Sequence, residues 1–175
     1  SKGLIGLLSL VLFVVPLVSL IFGTIHFYNS YEFIELLAAQ PVKRRTILLA
    51  EFLGVSIALG AAFLLGIGVP VALFAANTTG FTLIATGLGL TLIFIALAFL
   101  GAVITRDKAR GIGMAMLLWF YFAILHDGLM LFIMFYFGDY PLEKATIGMI
   151  ALNPIDLGRV IVLLQMDVSA LMGYT

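Results

Sequence analysis

Two stretches combine residue types that do chemistry with surroundings that do not suit them. His126-Asp127 sits inside the long apolar run 112–137, near its middle and so near the centre of any bilayer it crosses. An ionisable side chain in hydrocarbon is costly, so such a pair marks a substrate path, a coupling relay or a satisfied polar contact between helices. Neighbours on a helix point about 100° apart. His126 and Asp127 are therefore expected to face different partners, with Asp127 turned to the bundle interior and protonated or hydrogen-bonded to another span. The second stretch is Asn153-Pro154-Ile155-Asp156, which reads as a helix start. Asn153 is the N-cap, Pro154 takes the first helical position, and Asp156 meets the positive end of the helix dipole. Arg159, three residues on, can pair with Asp156. About a dozen mostly apolar residues follow, too few to span, so this helix should lie along or dip into the outer face. It is either an amphipathic surface helix or an external gate over a translocation path.

Other chemistries are thinly represented. Seven methionines invite a copper reading, and Met130 and Met134 share a helical face with Asp127. Methionine in an apolar span usually serves as packing filler, and no resident metal site is expected. The absence of cysteine excludes disulfides, thiolate metal sites and thiol nucleophiles. No P-loop pattern occurs, nor any hydrolase or zinc-protease signature, so no catalytic residue is assigned and the chain is read as not an enzyme. His26 is shallow and His126 central, a poor arrangement for a haem between two histidines. Asp127 lacks an evident carboxylate partner at its own depth, as an aspartyl protease would need. His26 and Glu51 both fall near the cytoplasmic interface.

The elements that hold these residues follow from composition. Of 175 residues, 63% are hydrophobic and 10% charged, against about 45–50% and 25% in soluble domains. A soluble fold of this size cannot hide so much apolar surface. Nine basic residues balance nine acidic ones, which leaves no net field for nucleic acid. The chain is an integral membrane protein. Four apolar runs reach the roughly 20 residues that a bilayer core requires: 4–27, 47–75, 81–105 and 112–137. Helices are the expected form. Gly54, Ala58, Ala62 and Gly66 repeat every four residues along the second run, a stripe that predicts close packing inside the bundle. Pro16 and Pro70 predict kinks.

Charge sets the orientation. Lys43, Arg44 and Arg45 lie between the first and second runs, and Arg106, Lys108 and Arg110 between the third and fourth. These six of the nine basic residues place both loops in the cytoplasm. The first of those loops, 29–46, holds a short amphipathic helix. Asn29 with Glu32 resembles a capping box. Phe33, Ile34, Leu37 and Ala38 share one face, Glu32 and Glu35 lie toward the other, and Pro41 stops the helix. It is read as an interfacial anchor or as a docking helix for a cytoplasmic protein. Its acidic face beside a basic cluster offers both charge signs, more than lipid binding requires.

The stretch from Glu35 to Gly54, ELLAAQPVKRRTILLAEFLG, resembles the permeases of ABC type-2 exporters. In that family the corresponding stretch is the coupling helix that fits the ATPase subunit. The resemblance assigns ATPase coupling to Glu32, Phe33, Glu35, Leu37, Gln40, Lys43, Arg44 and Arg45. The outer stretch from Leu152 to Leu163, LNPIDLGRVIVL, is similar to the Asn-Pro-x-Asp-x-x-Arg segment of the permeases that serve nitrous oxide reductase maturation, and Asp127 fits that pattern too. The resemblance implies an all-α polytopic bundle, with these four spans as the second to fifth of six. It thus treats 1–175 as one permease domain incomplete at both ends, with a coupling helix at 29–46 and an outer-face segment at 138–175. Serine at position 1 agrees with a portion of something longer. It further implies a multi-pass protein of the bacterial inner membrane, a cytoplasmic ATPase partner that carries ATP and magnesium, and a second permease copy. A periplasmic accessory protein completes the implied partners. Two readings compete: a non-transporting anchor subunit of a respiratory or other membrane complex, and an ion-coupled transporter using Asp127.

Overall fold

The computed structural model describes residues 2–138 and 141–171, and all regular structure among them is helical. Asp139, Tyr140 and Met172 lie outside the described residues. Helix α1 is Lys2–Asn29 and α2 is Tyr31–Ala38. Helix α3, Arg44–Phe63, continues through a π-helical run, Leu64–Gly68, into α4, Val69–Phe74. Helix α5 is Thr78–Thr105. Helix α6, Lys108–Phe120, passes through a second π run, Tyr121–Leu125, into α7, His126–Tyr136. Helices α8, Glu143–Leu152, and α9, Pro154–Leu171, close the order. Among the described residues four continuous helices are long and apolar enough to cross a membrane, Gly3–Asn29, Arg44–Phe74, Thr78–Thr105 and Lys108–Tyr136. They coincide with the four runs in the sequence. The chain is an all-α polytopic membrane bundle.

Helix α5 is the central element, packed by α1, α3, α6 and α9. Its apolar residues run almost all round, as a helix enclosed by others requires. Leu83, Leu90, Phe94 and Ala98 join Leu8, Val11, Leu12 and Leu20 of α1, and Ile155 and Val162 of α9, in one buried cluster. A smaller cluster toward the basic loops joins Phe27, Val55, Ile95, Phe99 and Ala102. Glycine permits the closest approaches. A Cβ on Gly23 would stand 2.9 Å from that of Ala98, and one on Gly87 would enter the ring of Phe63.

The two π runs have different causes. Pro70 has no N–H for the carbonyl four residues back, and the run Leu64–Gly68 lies just ahead of it. The run Tyr121–Leu125 contains no proline. There the Phe122 carbonyl accepts a hydrogen bond from Asn153 Nδ2 at 2.9 Å, so a side chain from another helix satisfies a carbonyl in the widened turn. Pro16 is buried within α1. One residue past the carbonyl that Pro16 leaves unpaired, the carbonyl of Phe13 accepts from Trp119 Nε1 at 3.1 Å.

Three expectations are corrected. The stripe of Gly54, Ala58, Ala62 and Gly66 is not buried within this chain: all four are exposed. Helix α3 meets α5 through Val55 and Phe63 instead, because these larger side chains fill the space beside Gly87 and Phe99. The Asn29 capping box does not form. Helix α1 continues to Asn29, whose Oδ1 accepts from Lys108 Nζ at 2.9 Å, and Ser30 starts α2 without a side-chain cap. Finally, α9 has 18 residues rather than a dozen; of the two expected placements, along the outer face or dipping into it, the packing fits the second. Asn153 reaches Phe122, halfway along Lys108–Tyr136. Gly158 sits against Thr86, Leu12 and Leu90, with 2.8 Å between its would-be Cβ and Thr86 Cγ2. Helices α8 and α9 are bent by 111° at this corner.

Candidate functional site

The α8–α9 corner brings together the two polar stretches that the sequence keeps 26 residues or more apart. Asn153 is fully buried and caps α9 by accepting from the Ile155 amide at 3.0 Å, as its N-cap position predicts. Its Nδ2 donates both to the Phe122 carbonyl and, at 2.8 Å, to Asp156 Oδ2. His126 Nδ1 meets the same Asp156 oxygen at 2.9 Å. Arg159 Nη1 donates to Asp127 Oδ2 at 3.2 Å and lies 3.3 Å from Asp156 Oδ1. The i,i+3 pair of Asp156 with Arg159 therefore forms as its spacing predicts.

The network is graded in burial. His126 and Asp156 are buried, with side chains 5% and 7% exposed. Asp127 and Arg159 are 38% and 41% exposed. Asp156 Oδ1 is buried and makes no hydrogen bond; only the nearby guanidinium charge compensates it. The separation of His126 from Asp127 around α7 holds, but both reach one helix. Asp156 and Arg159 stand one turn apart on α9 and meet them in parallel. The expectation that Asp127 has no carboxylate at its own depth is overturned, because the corner lowers Asp156 to that depth. His126, Asp127 and Asp156 offer ligand atoms within 4.8 Å of one another, and Arg159 already supplies the positive charge that such a group requires. Pro154 has no partner in the network; it fixes the first turn of α9.

The other predicted residues gather at the basic end. On α2, Glu32, Phe33 and Glu35 are exposed and Leu37 is half-buried. Ile34, not Phe33, provides the inward contact, against the cluster of Phe27, Val55 and Phe99. Gln40 and Lys43 are exposed in the turn to α3, and Arg44 and Arg45 occupy the first turn of α3. Cations at the positive end of a helix dipole are locally unfavourable, and no acidic side chain in that turn offsets them. His26 and Glu51, read singly from the sequence, form a pair at 2.7 Å. Tyr28 was not singled out, yet its hydroxyl lies 2.6 Å from Thr105 Oγ1 and ties α1 to α5.

A curated relative aligns in sequence with nearly the whole of this chain. The probable ABC transporter permease protein NosY of Pseudomonas aeruginosa is 30% identical over 180 aligned residues, which take in 96% of this chain. The chain is therefore similar to an ABC transporter permease of NosY type. It spans 66% of the relative's length, just under two thirds. No family model matches this chain, and no solved structure matches it.

Proposed function

We propose that this permease couples ATP hydrolysis in a separate cytoplasmic ATPase to movement of a substrate, or of a signal, toward a partner on the outer side. The observation that carries the reading is α2. It is an eight-residue helix that leaves Phe33 and Leu36 55% and 68% exposed beside exposed charges of both signs, Glu32 and Glu35 on the helix and Lys43, Arg44 and Arg45 after it. A lipid anchor needs apolar area and cations; the outward glutamates suit a protein groove better. ATP and magnesium reside in the ATPase, and this chain contributes no catalytic group.

The packing supplies the mechanical link. Only Ser30 separates α1 from α2, and the Ser30 amide donates to the His26 carbonyl at 2.9 Å. Ile34 seats α2 against Phe27 and Val55. A push on α2 therefore moves the ends of α1 and α3 together. Helix α1 carries it to the other half of the bundle, where Leu12 touches Gly158 of α9. Helices that move as rigid bodies pass such displacements without a change of fold. The network at the α8–α9 corner then serves as the outer gate or signal output. The inner membrane of a bacterium is the proposed location, with a second permease copy and a periplasmic accessory protein as further partners. Nitrous oxide reductase maturation is the proposed context; it rests on resemblance in the Asn-Pro-x-Asp-x-x-Arg segment.

The test is co-purification of the ATPase with the full-length permease from detergent extracts. Replacing Glu32 and Arg44 together with alanine, or Phe33→Ala alone, should leave membrane insertion intact. Recovery of the ATPase should fall about tenfold, as for the loss of an interface anchor. Unchanged recovery in both variants would remove α2 from the docking role.

A further inference from the structure

Arg159 borders two recesses. One, of about 360 Å³, lies between α1 and α9, where Ile5, Ser9, Phe13 and Leu163 face it. The other, of about 250 Å³, lies between α7 and the α8–α9 corner, where Asp127, Met130, Met134 and Asp156 face it. The depth is fixed by Asn153, which bonds the Phe122 carbonyl halfway along a membrane-spanning helix. Five residues beyond Phe122 and six beyond Asn153, still within the span, the side chains of Asp127 and Arg159 keep 38% and 41% of their surface uncovered. Charged groups with that much open surface are not stable against hydrocarbon, and within membranes they face protein or water-filled cavities. Within this chain the packing leaves room on both sides of the guanidinium. Residues Ile5, Ser9 and Leu163 lie toward the end of the bundle opposite the six basic loop residues, so the opening is on the outer side.

We propose that the two recesses form one hydrated vestibule, open to the outer side and reaching the membrane midplane. It admits small hydrophilic cations in preference to anions. The preference rests on Asp127, whose carboxylate is 38% exposed and lines the recess beside Met130 and Met134. Asp156 is buried against His126 and Asn153, and Arg159 is shared by both carboxylates. The inference requires only that the chain spans a membrane; it is independent of the ATPase.

These 175 residues contain no cysteine, and any cysteine elsewhere in the full-length protein is first replaced by serine. Single variants Met130→Cys and Ser9→Cys would be placed in the full-length protein in spheroplasts. They would be exposed to two membrane-impermeant methanethiosulfonates, one bearing a trimethylammonium group and one a sulfonate. Ile57→Cys is the control, 70% exposed on α3 near the middle of Arg44–Phe74 with no charged group beside it. Both vestibule positions should react from outside while Ile57→Cys stays unmodified. Corrected for reaction with a free thiol, the cationic reagent should be about tenfold faster than the anionic one at Met130→Cys. All three variants should react in denaturant. If Met130→Cys and Ser9→Cys are as inert in the membrane as Ile57→Cys, lipid or a second copy covers the recesses and the vestibule is refuted. Equal rates for the two reagents at Met130→Cys would refute the cation preference.

Discussion

Asp156 holds three other side chains at once, and its loss should be felt more than that of any other member of the network. Its carboxylate takes Asn153 and His126 on one oxygen and stands beside Arg159 with the other. Removing one partner of a buried charge pair leaves the rest uncompensated, at a cost of about 3–5 kcal/mol. Asp156→Ala should therefore lower the thermal stability of the detergent-solubilised protein by several degrees or more. Asp127→Asn should cost about 1 kcal/mol or less, since that pair is over a third exposed and water can replace it. Equal losses in the two variants would contradict the gradient of burial. Much of this was readable from the chain: the N-cap, the i,i+3 pair and the central depth of His126-Asp127. What could not be read was their convergence. Helical period correctly separates His126 from Asp127 around α7, but it says nothing about a second helix that arrives with two polar residues one turn apart.

Helix α9 is seated by a missing side chain. Gly158 presents bare backbone to Thr86 of α5 and Leu12 of α1, and a methyl group there would come within 2.8 Å of Thr86 Cγ2. Gly158→Ala should push α9 off the bundle at an overpacking cost of about 1–3 kcal/mol. Gly148 of α8 has nothing within 4 Å of such a methyl, so Gly148→Ala should be neutral or stabilising by up to about 1 kcal/mol through helix propensity. Thermal unfolding of the two variants side by side separates the effects. If Gly158→Ala were as benign as Gly148→Ala, the close seating of α9 would be wrong. At this scale the four spans were legible because a run of about 20 apolar residues has few alternatives in a bilayer. The side on which each glycine is used was not. Spacing of four marks the Gly54–Gly66 stripe on α3 just as well whether it faces a neighbour or faces out, and only the size of Val55 and Phe63 decides which face meets α5.

For the whole molecule the sequence suggested four spans with an outer appendage, because the segment after α7 is broken by Asn153-Pro154 into pieces that look too short to cross. The structure makes the pieces legs of a hairpin. Helix α8 has 10 residues and α9 has 18, or about 15 Å and 27 Å at 1.5 Å per residue. A bend of 111° leaves the legs about 69° apart. At equal tilt they rise about 12 Å and 22 Å from a corner at the midplane, against about 15 Å to the nearer surface of a core about 30 Å thick, so α9 reaches that surface and α8 ends within a turn of it. A bend of 111° exceeds a right angle, so α9 heads back rather than onward. The charges agree with a return. Glu143 and Lys144 begin α8, Asp167 lies near the end of α9, and all three are exposed; a hairpin sets them in one headgroup layer, whereas a crossing would set them 30 Å apart. Lys144→Cys and Asp167→Cys in the full-length protein should then both be labelled by an impermeant maleimide from the outer side. Arg106→Cys, in the basic turn after α5, should be labelled only after permeabilisation. Protection of Asp167→Cys until permeabilisation would make α8 and α9 a fifth crossing, and would place the C-terminal end of α9 on the same side as α2.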